Sequence, residues 1–334
     1  MQKKPLLSRR RILQITALGG LGAATFPLKA LSSESALHLH RWHGTALGAE
    51  AAITLSHRDR AWAQSCLTSV QREIDRLENI FSLYRGKNAL TSLNQYGALI
   101  SPPAEMVQLM EKARAFGEAT DGAFDITVQP LWILYAEHFR HSDSDPAGPG
   151  RADVETAQHL VDFRRISIRP NEISFGRRGM TATLNGIAQG FVTDQISDLL
   201  KAKGFDNVLV NMGEARASGY HPAGRPWRMA ILDPTDPSKV HSKADLANMA
   251  MATSGGYGTH LDPKGRFHHL FDPRTGGSPN HFLSVTVLAR EATTADALST
   301  ALAVMPEEQA IKCLHKMEGC RAFVIRRDGT NVYL

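Results

Sequence analysis

The stretch LNGIAQGFVTDQISDLLKAKGFDNVLVNM, residues 184–212, decides the fold class. Residues 188–203 read as a helix closed by Gly204, since glycine takes the left-handed conformation common at helix ends. Asn207 to Met212 then alternate as a packed strand. Upstream, the segment around Leu37–Leu55 is extended, and Trp62, Cys66, Val70, Ile74, Leu77 and Phe81 recur at three and four, which predicts a helix over 58–80. A helix over 104–118 follows Pro102-Pro103, with Val107, Met110, Ala113 and Phe116 facing inward. Downstream, strands are expected at 227–232, 267–271 and 282–289, then helices at 294–305 and 307–317. Strands and helices come in irregular order, which favours an α+β architecture over a doubly wound one.

The chain has 334 residues, 43% of them hydrophobic and 21% charged, enough apolar material for a sizeable core and too much for a disordered chain. Its mean hydropathy of -0.23, with one apolar run of note, argues against a multispanning membrane protein. The formal charge of +5 hints at nucleic-acid binding, but the first 30 residues carry six basic and no acidic side chains, leaving 32 basic against 33 acidic in the rest. A basic start, an apolar stretch from Ile12 to Phe26 and small residues after Pro27 form an export signal. Ser8-Arg9-Arg10-Arg11-Ile12-Leu13-Gln14 resembles the twin-arginine type, read by a translocase that moves folded proteins. Residues 1–30 are therefore assigned to the signal and 31–334 to one domain, expected in the periplasm, or membrane-anchored if the signal is retained. Cys313 and Cys320 are a candidate pair, with packing the favoured role, and Cys66 is left over. His141–Gly150 reads as a surface loop.

Common catalytic signatures are missing: there is no phosphate-loop motif, no Gly-x-Ser-x-Gly elbow and no His-Glu-x-x-His. Gly19, Gly20 and Gly22 imitate a dinucleotide fingerprint, but no strand precedes them. Four clusters remain. In Asp121-Gly122-Ala123-Phe124-Asp125-Ile126-Thr127, Asp125 is flanked by apolar residues and is either held inside or a cap of a turn. Leu184 to Gly190 puts glycines and free amides at a helix start, a place for an anion such as a pyrophosphate. Thr253-Ser254-Gly255 precedes His268-His269-Leu270-Phe271-Asp272-Pro273-Arg274-Thr275-Gly276, a turn dense in ionisable groups. In Ala295-Asp296-Ala297-Leu298-Ser299-Thr300, Asp296 and Thr300 stand one helical turn apart, two hard oxygens suited to magnesium. The competing reading is an acid favouring the helix dipole and a threonine bonding back to the backbone.

In this order, together with Phe81-Ser82-x-Tyr84, Leu93-Asn94 and Ser284-Val285-Thr286-Val287, these clusters resemble the ApbE family of FAD:protein FMN transferases over about residues 42–305. The resemblance implies a tunnelling-fold-like α+β domain of mixed or antiparallel sheets with packed helices. It implies FAD as substrate and magnesium as cofactor, with FMN passed to a threonine or serine hydroxyl of an exported or membrane flavoprotein and AMP released. Carried over by position, His269 is the catalytic base, and Tyr84, Ala123, Phe124, Asp125, Thr183, Gln189 and the backbone of Phe271 contact FAD. Leu47 belongs to a flavin-side wall, and Gly186, Asp296 and Thr300 hold magnesium. Thr183 stands where many relatives have an acid, Gln189 where a charge is common, and Leu47-Gly48-Ala49 where Met-Gly-Thr is frequent. Asn211-Met212-Gly213-Glu214 is one residue shorter than the usual Asn-x-Gly-Gly-Asp element. These departures resemble a periplasmic subgroup tied to flavinylation of respiratory electron-transfer assemblies, including nitrous oxide reductase maturation. Two other functions stay open: a pyrophosphatase giving FMN and AMP, and a carrier that holds FAD without chemistry.

Overall fold

The computed structural model describes residues 37–334, so the proposed export segment lies outside the described residues. The chain opens with the hairpin β1 (His38–Ala46) and β2 (Ala49–His57), then α1 (Arg60–Phe81), α2 (Ala89–Tyr96), β3 (Ala98–Ile100) and α3 (Ala104–Ala119). A 3₁₀ turn at Ile126–Val128 runs into α4 (Gln129–His138), followed by α5 (Arg151–Gln158), β4 (Ile166–Arg169), β5 (Glu172–Phe175) and α6 (Ala188–Ala202). Then come β6 (Val208–Asn211), β7 (Ala215–Ser218), β8 (Trp227–Leu232), β9 (Val240–Leu246) and β10 (Met249–Ser254). The chain closes with β11 (Phe282–Ala289), α7 (Ala292–Ala303), α8 (Glu307–Leu314), β12 (Arg321–Arg326) and β13 (Asn331–Tyr333).

Eight strands form one antiparallel sheet in the order β1-β2-β6-β7-β10-β11-β12-β13, which makes the architecture α+β as expected. One face carries α6 and α7. The other is covered in part by the β8-β9 hairpin, whose Trp227, Met229 and Ile231 alternate inward against Leu209, Met251 and Phe323. With both faces covered, β11 is buried along most of its length. A small sheet, β3-β5-β4, lies apart.

Helix α7 is central, and its sequence ATTADALSTALA is small enough for neighbours to approach closely. The tightest approach is to α6, where a Cβ on Gly190 would come 2.3 Å from the Ala292 carbonyl oxygen, so only glycine fits. Asp194, one turn further along α6, accepts from the Ala292 and Thr293 amides at 2.9 and 2.8 Å and from the Thr293 hydroxyl at 2.6 Å. It acts as the cap that α7 lacks in its own sequence. Arg216 of β7 donates to the same carboxylate at 2.9 Å. The Phe81 and Phe191 rings meet edge-on at 5.6 Å and lock α1 to α6. Burying each of these side chains contributes roughly 1.5–3 kcal/mol.

Several expectations are corrected. Residues 267–271 form no strand; only His268 bridges His260. Their amides bond to side chains instead: Phe267 to Asp262, His268 to Ser278 and Leu270 to His268. The alternation there comes from Phe267 entering an aromatic cluster with Tyr135 and Phe139. Trp62 is 42% exposed, with Lys203 over its ring at 5.9 Å, rather than inside. The three cysteines are free thiols. His141–Gly150 holds no helix or strand, and among the described residues no helix is long and apolar enough to cross a membrane.

Candidate active site

A cavity of about 880 Å³ opens where α6 and α7, the end of β10 and the 255–271 loop meet the 122–140 segment and the tip of the β8-β9 hairpin. Its volume is in the range of small-molecule sites. Every site residue named from sequence lines it except Leu47: Tyr84, Ala123, Phe124, Asp125, Thr183, Gly186, Gln189, His269, Phe271, Asp296 and Thr300. Leu47 is the turn residue of the β1-β2 hairpin, at φ 48°, half-buried against the main core. Ala49 and Glu50 line the cavity from that hairpin instead. Tyr84 is 71% exposed on the rim, so it offers an aromatic face to an incoming ligand.

The floor around α7 is built from hard oxygens. Asp296 is buried at 3% exposure, and its Oδ2 accepts from the Gly190 amide at 2.9 Å. One turn on, the Thr300 hydroxyl lies 3.3 Å from that of Ser254, which also meets Ser299 at 2.8 Å. A Cβ on Gly186 would come 2.9 Å from Thr300 Oγ1, so the backbone of Gly186 lies directly against that hydroxyl. Among the described residues no group of three or more His, Cys, Asp or Glu side chains is placed to hold a metal. One carboxylate, one hydroxyl and a nearby peptide carbonyl suit a hard cation that keeps open positions for phosphate oxygens, so the residues fit magnesium.

Of the amides expected free at the start of α6, three are taken. Ile187 and Ala188 donate to the Leu184 carbonyl and Gly190 to Asp296. With a carboxylate seated at this helix start, charge there favours a cation over an anion.

Asp125 is the turn cap that sequence left as one of two readings, and it is also buried. Its Oδ1 accepts from the Thr127 amide and hydroxyl at 2.7 and 2.6 Å, and its Oδ2 from the Phe163 amide at 3.0 Å. Burial pushes its carboxyl up to about 6 against the pull of these bonds. Asp194 is raised by burial too, opposed by the Thr293 hydroxyl and Arg216. The two adjacent histidines part ways. His268 is buried, donates from Nε2 to the Pro279 carbonyl at 2.9 Å and accepts the Leu270 amide on Nδ1, and burial pushes it down to about 4. His269 is half-buried in the cavity wall, its backbone amide held by the Thr259 carbonyl at 3.1 Å.

Sequence reasoning missed Asp194, quoted Ser254 in a cluster without giving it a role, and missed Pro234 and Pro237, which bring the β8-β9 tip to the cavity. For Asp194 a signal existed, an acid one turn after Gly190 inside an apolar helix.

An antiparallel α+β fold whose central helix presents a carboxylate and a hydroxyl to a cavity of this size defines a protein that can take a small-molecule ligand there. The chain belongs to the ApbE family, whose model matches residues 47–324. It is 32% identical over 259 residues to the FAD:protein FMN transferase of Haemophilus influenzae, covering 74% of each chain. It is 26% identical to that of Escherichia coli, covering 98% of this chain and 88% of the other. Among solved structures it resembles the flavin transferase ApbE of Vibrio cholerae with a TM-score of 0.76 at 25% identity, covering 90% of this chain and 97% of the other. The Thermotoga maritima ApbE protein gives a TM-score of 0.78 at 26% identity, covering 88% and 96%.

Proposed function

We propose that this chain transfers FMN from FAD to a threonine or serine hydroxyl of an acceptor flavoprotein, with magnesium as the essential ion and AMP as the other product. The observation that carries the reading is the placing of Asp296, Thr300, Gly186 and His269 in the wall of one cavity, with Tyr84 and Phe124 as apolar surface. Asp296, Thr300 and the carbonyl of Gly186 would hold the cation. Bound there, magnesium would neutralise charge developing on the pyrophosphate. His269 takes the proton of the acceptor hydroxyl as its oxygen bonds to the FMN phosphorus. The bond from that phosphorus to the bridging oxygen breaks, and AMP departs with the oxygen.

The acceptor is expected to be a subunit of a membrane electron-transfer complex, and the enzyme to act in the periplasm after twin-arginine export. Changing Arg9 and Arg10 together to Lys should keep the protein in the cytoplasmic fraction; unchanged export would contradict that route. Transfer is separated from hydrolysis by quantifying products: AMP should match covalently bound FMN on the acceptor one for one. AMP with free FMN would mean a pyrophosphatase, and FAD recovered intact would mean a carrier.

A further inference from the structure

Glu214 has no part in the mechanism above, yet it lines the same cavity. It follows a tight turn between β6 and β7 in which Gly213 sits at φ +102°, a region that disfavours any side chain. A Cβ on Gly213 would lie 2.5 Å from Gln189 Nε2, so the turn is pressed against the start of α6. The Glu214 carbonyl accepts from the Met212 amide and the Thr193 hydroxyl, each at 3.0 Å, and its Oε2 accepts from the Thr253 amide at 3.2 Å. Three elements therefore fix this residue before any ligand arrives.

Its position relative to the cation site follows from its neighbours. Gln189, against the turn, precedes Gly190, whose amide holds Asp296. Thr253, which holds the carboxylate, precedes Ser254, whose hydroxyl meets Thr300. Glu214 is thus linked to Thr300 through Thr253 and Ser254, and to Asp296 through Gly213, Gln189 and Gly190. An ionised carboxylate only accepts hydrogen bonds, and so does a pyrophosphate, which also repels it. Beyond the Thr253 amide, what a carboxylate at Glu214 can take from a ligand is a donor, and the donors of FAD next to its pyrophosphate are polyol hydroxyls: the ribityl chain on one side and the adenosine ribose on the other.

We propose that Glu214 is a further substrate-binding residue whose carboxylate accepts hydrogen bonds from hydroxyls flanking the pyrophosphate of FAD. This rests on the reading of the site as an FAD site. The test is the Kd for FAD, read by quenching of flavin fluorescence with magnesium present, for the wild-type protein, Glu214→Gln and Glu214→Ala. The expected result is a Kd raised about tenfold in Glu214→Ala and less in Glu214→Gln, whose amide oxygen still accepts, with the magnesium dependence unchanged. FAD analogues lacking a ribityl hydroxyl or the ribose 2′-hydroxyl identify the source, because the penalty of the variants should disappear with the analogue that lacks the contacted group. An unchanged Kd in both variants, or a shift confined to magnesium affinity, overturns the assignment. Wild-type protein that binds FAD but transfers nothing would sink the transferase reading and leave Glu214 to be judged by Kd alone; wild-type protein that binds no FAD would sink both.

Discussion

Two neighbouring histidines show how single residues divide structure from chemistry. His268 is neutral in the fold, held by one donated and one accepted hydrogen bond. Its folded value of about 4 lies below the ordinary 6.5, so the unfolded chain takes up the proton first as pH falls. The stability that neutral His268 contributes is therefore complete above pH 6.5 and is lost as pH falls toward 4, by about 3 kcal/mol. Asp125 works in the opposite sense: its folded value of about 6 lies above the unfolded 3.8, so its contribution is lost as pH rises through that window. Comparison with His268→Gln isolates the histidine. Urea unfolding should show the wild type's advantage over the variant shrinking from pH 7 to pH 4, and a constant difference would refute the buried neutral ring. Spacing alone could not separate the pair, and only the family resemblance singled out His269, because the two differ in what they face, and that depends on the 255–281 loop. Asp125 left two readings because a cap and a buried carboxylate need the same residue in the same place, and here it is both.

At the scale of elements, the α6–α7 contact sets Asp296 against the start of α6. Gly190 and Asp194 are one turn apart on α6 and grip α7 at Ala292, Thr293 and Asp296. Asp194→Ala would strip three donors of their acceptor and leave Arg216 with only Asp198. A loss of about 3–5 kcal/mol is expected, measured by denaturant unfolding; a loss below about 1 kcal/mol would show that α7 is held by packing alone. Asp194 left a signal as an acid inside an apolar helix, but the helix it caps was not legible, since a cap supplied by another helix leaves no mark next to the helix it caps. Strands such as 227–232 and 282–289 were legible to the residue, because alternation or continuous burial in a sheet imposes its own period. The same rule failed at 267–271, where side-chain bonds to Asp262 and Ser278 hold a bent loop that alternates without a ladder. It also passed over the turn at Leu47–Gly48, whose position sets which hairpin residues reach the cavity.

Across the whole molecule, clusters at 122–127, 183–190, 253–271 and 296–300 converge on one cavity although up to about half the chain separates them. Their order could be read from sequence only through resemblance to a family, while the convergence is the work of the antiparallel sheet and the two helices on its face. The central claim is that this cavity moves FMN to a protein hydroxyl under control of the α7 cation site. It is tested most directly by the intact mass of an acceptor flavoprotein domain incubated with FAD, magnesium and either the wild-type protein or Asp296→Ala. The account predicts a gain of one FMN with the wild type, abolished by a chelator and reduced at least about a hundredfold in rate by Asp296→Ala, in keeping with the several kcal/mol such an ion supplies. An acceptor that gains FMN equally well with the variant, or in the presence of the chelator, would contradict it.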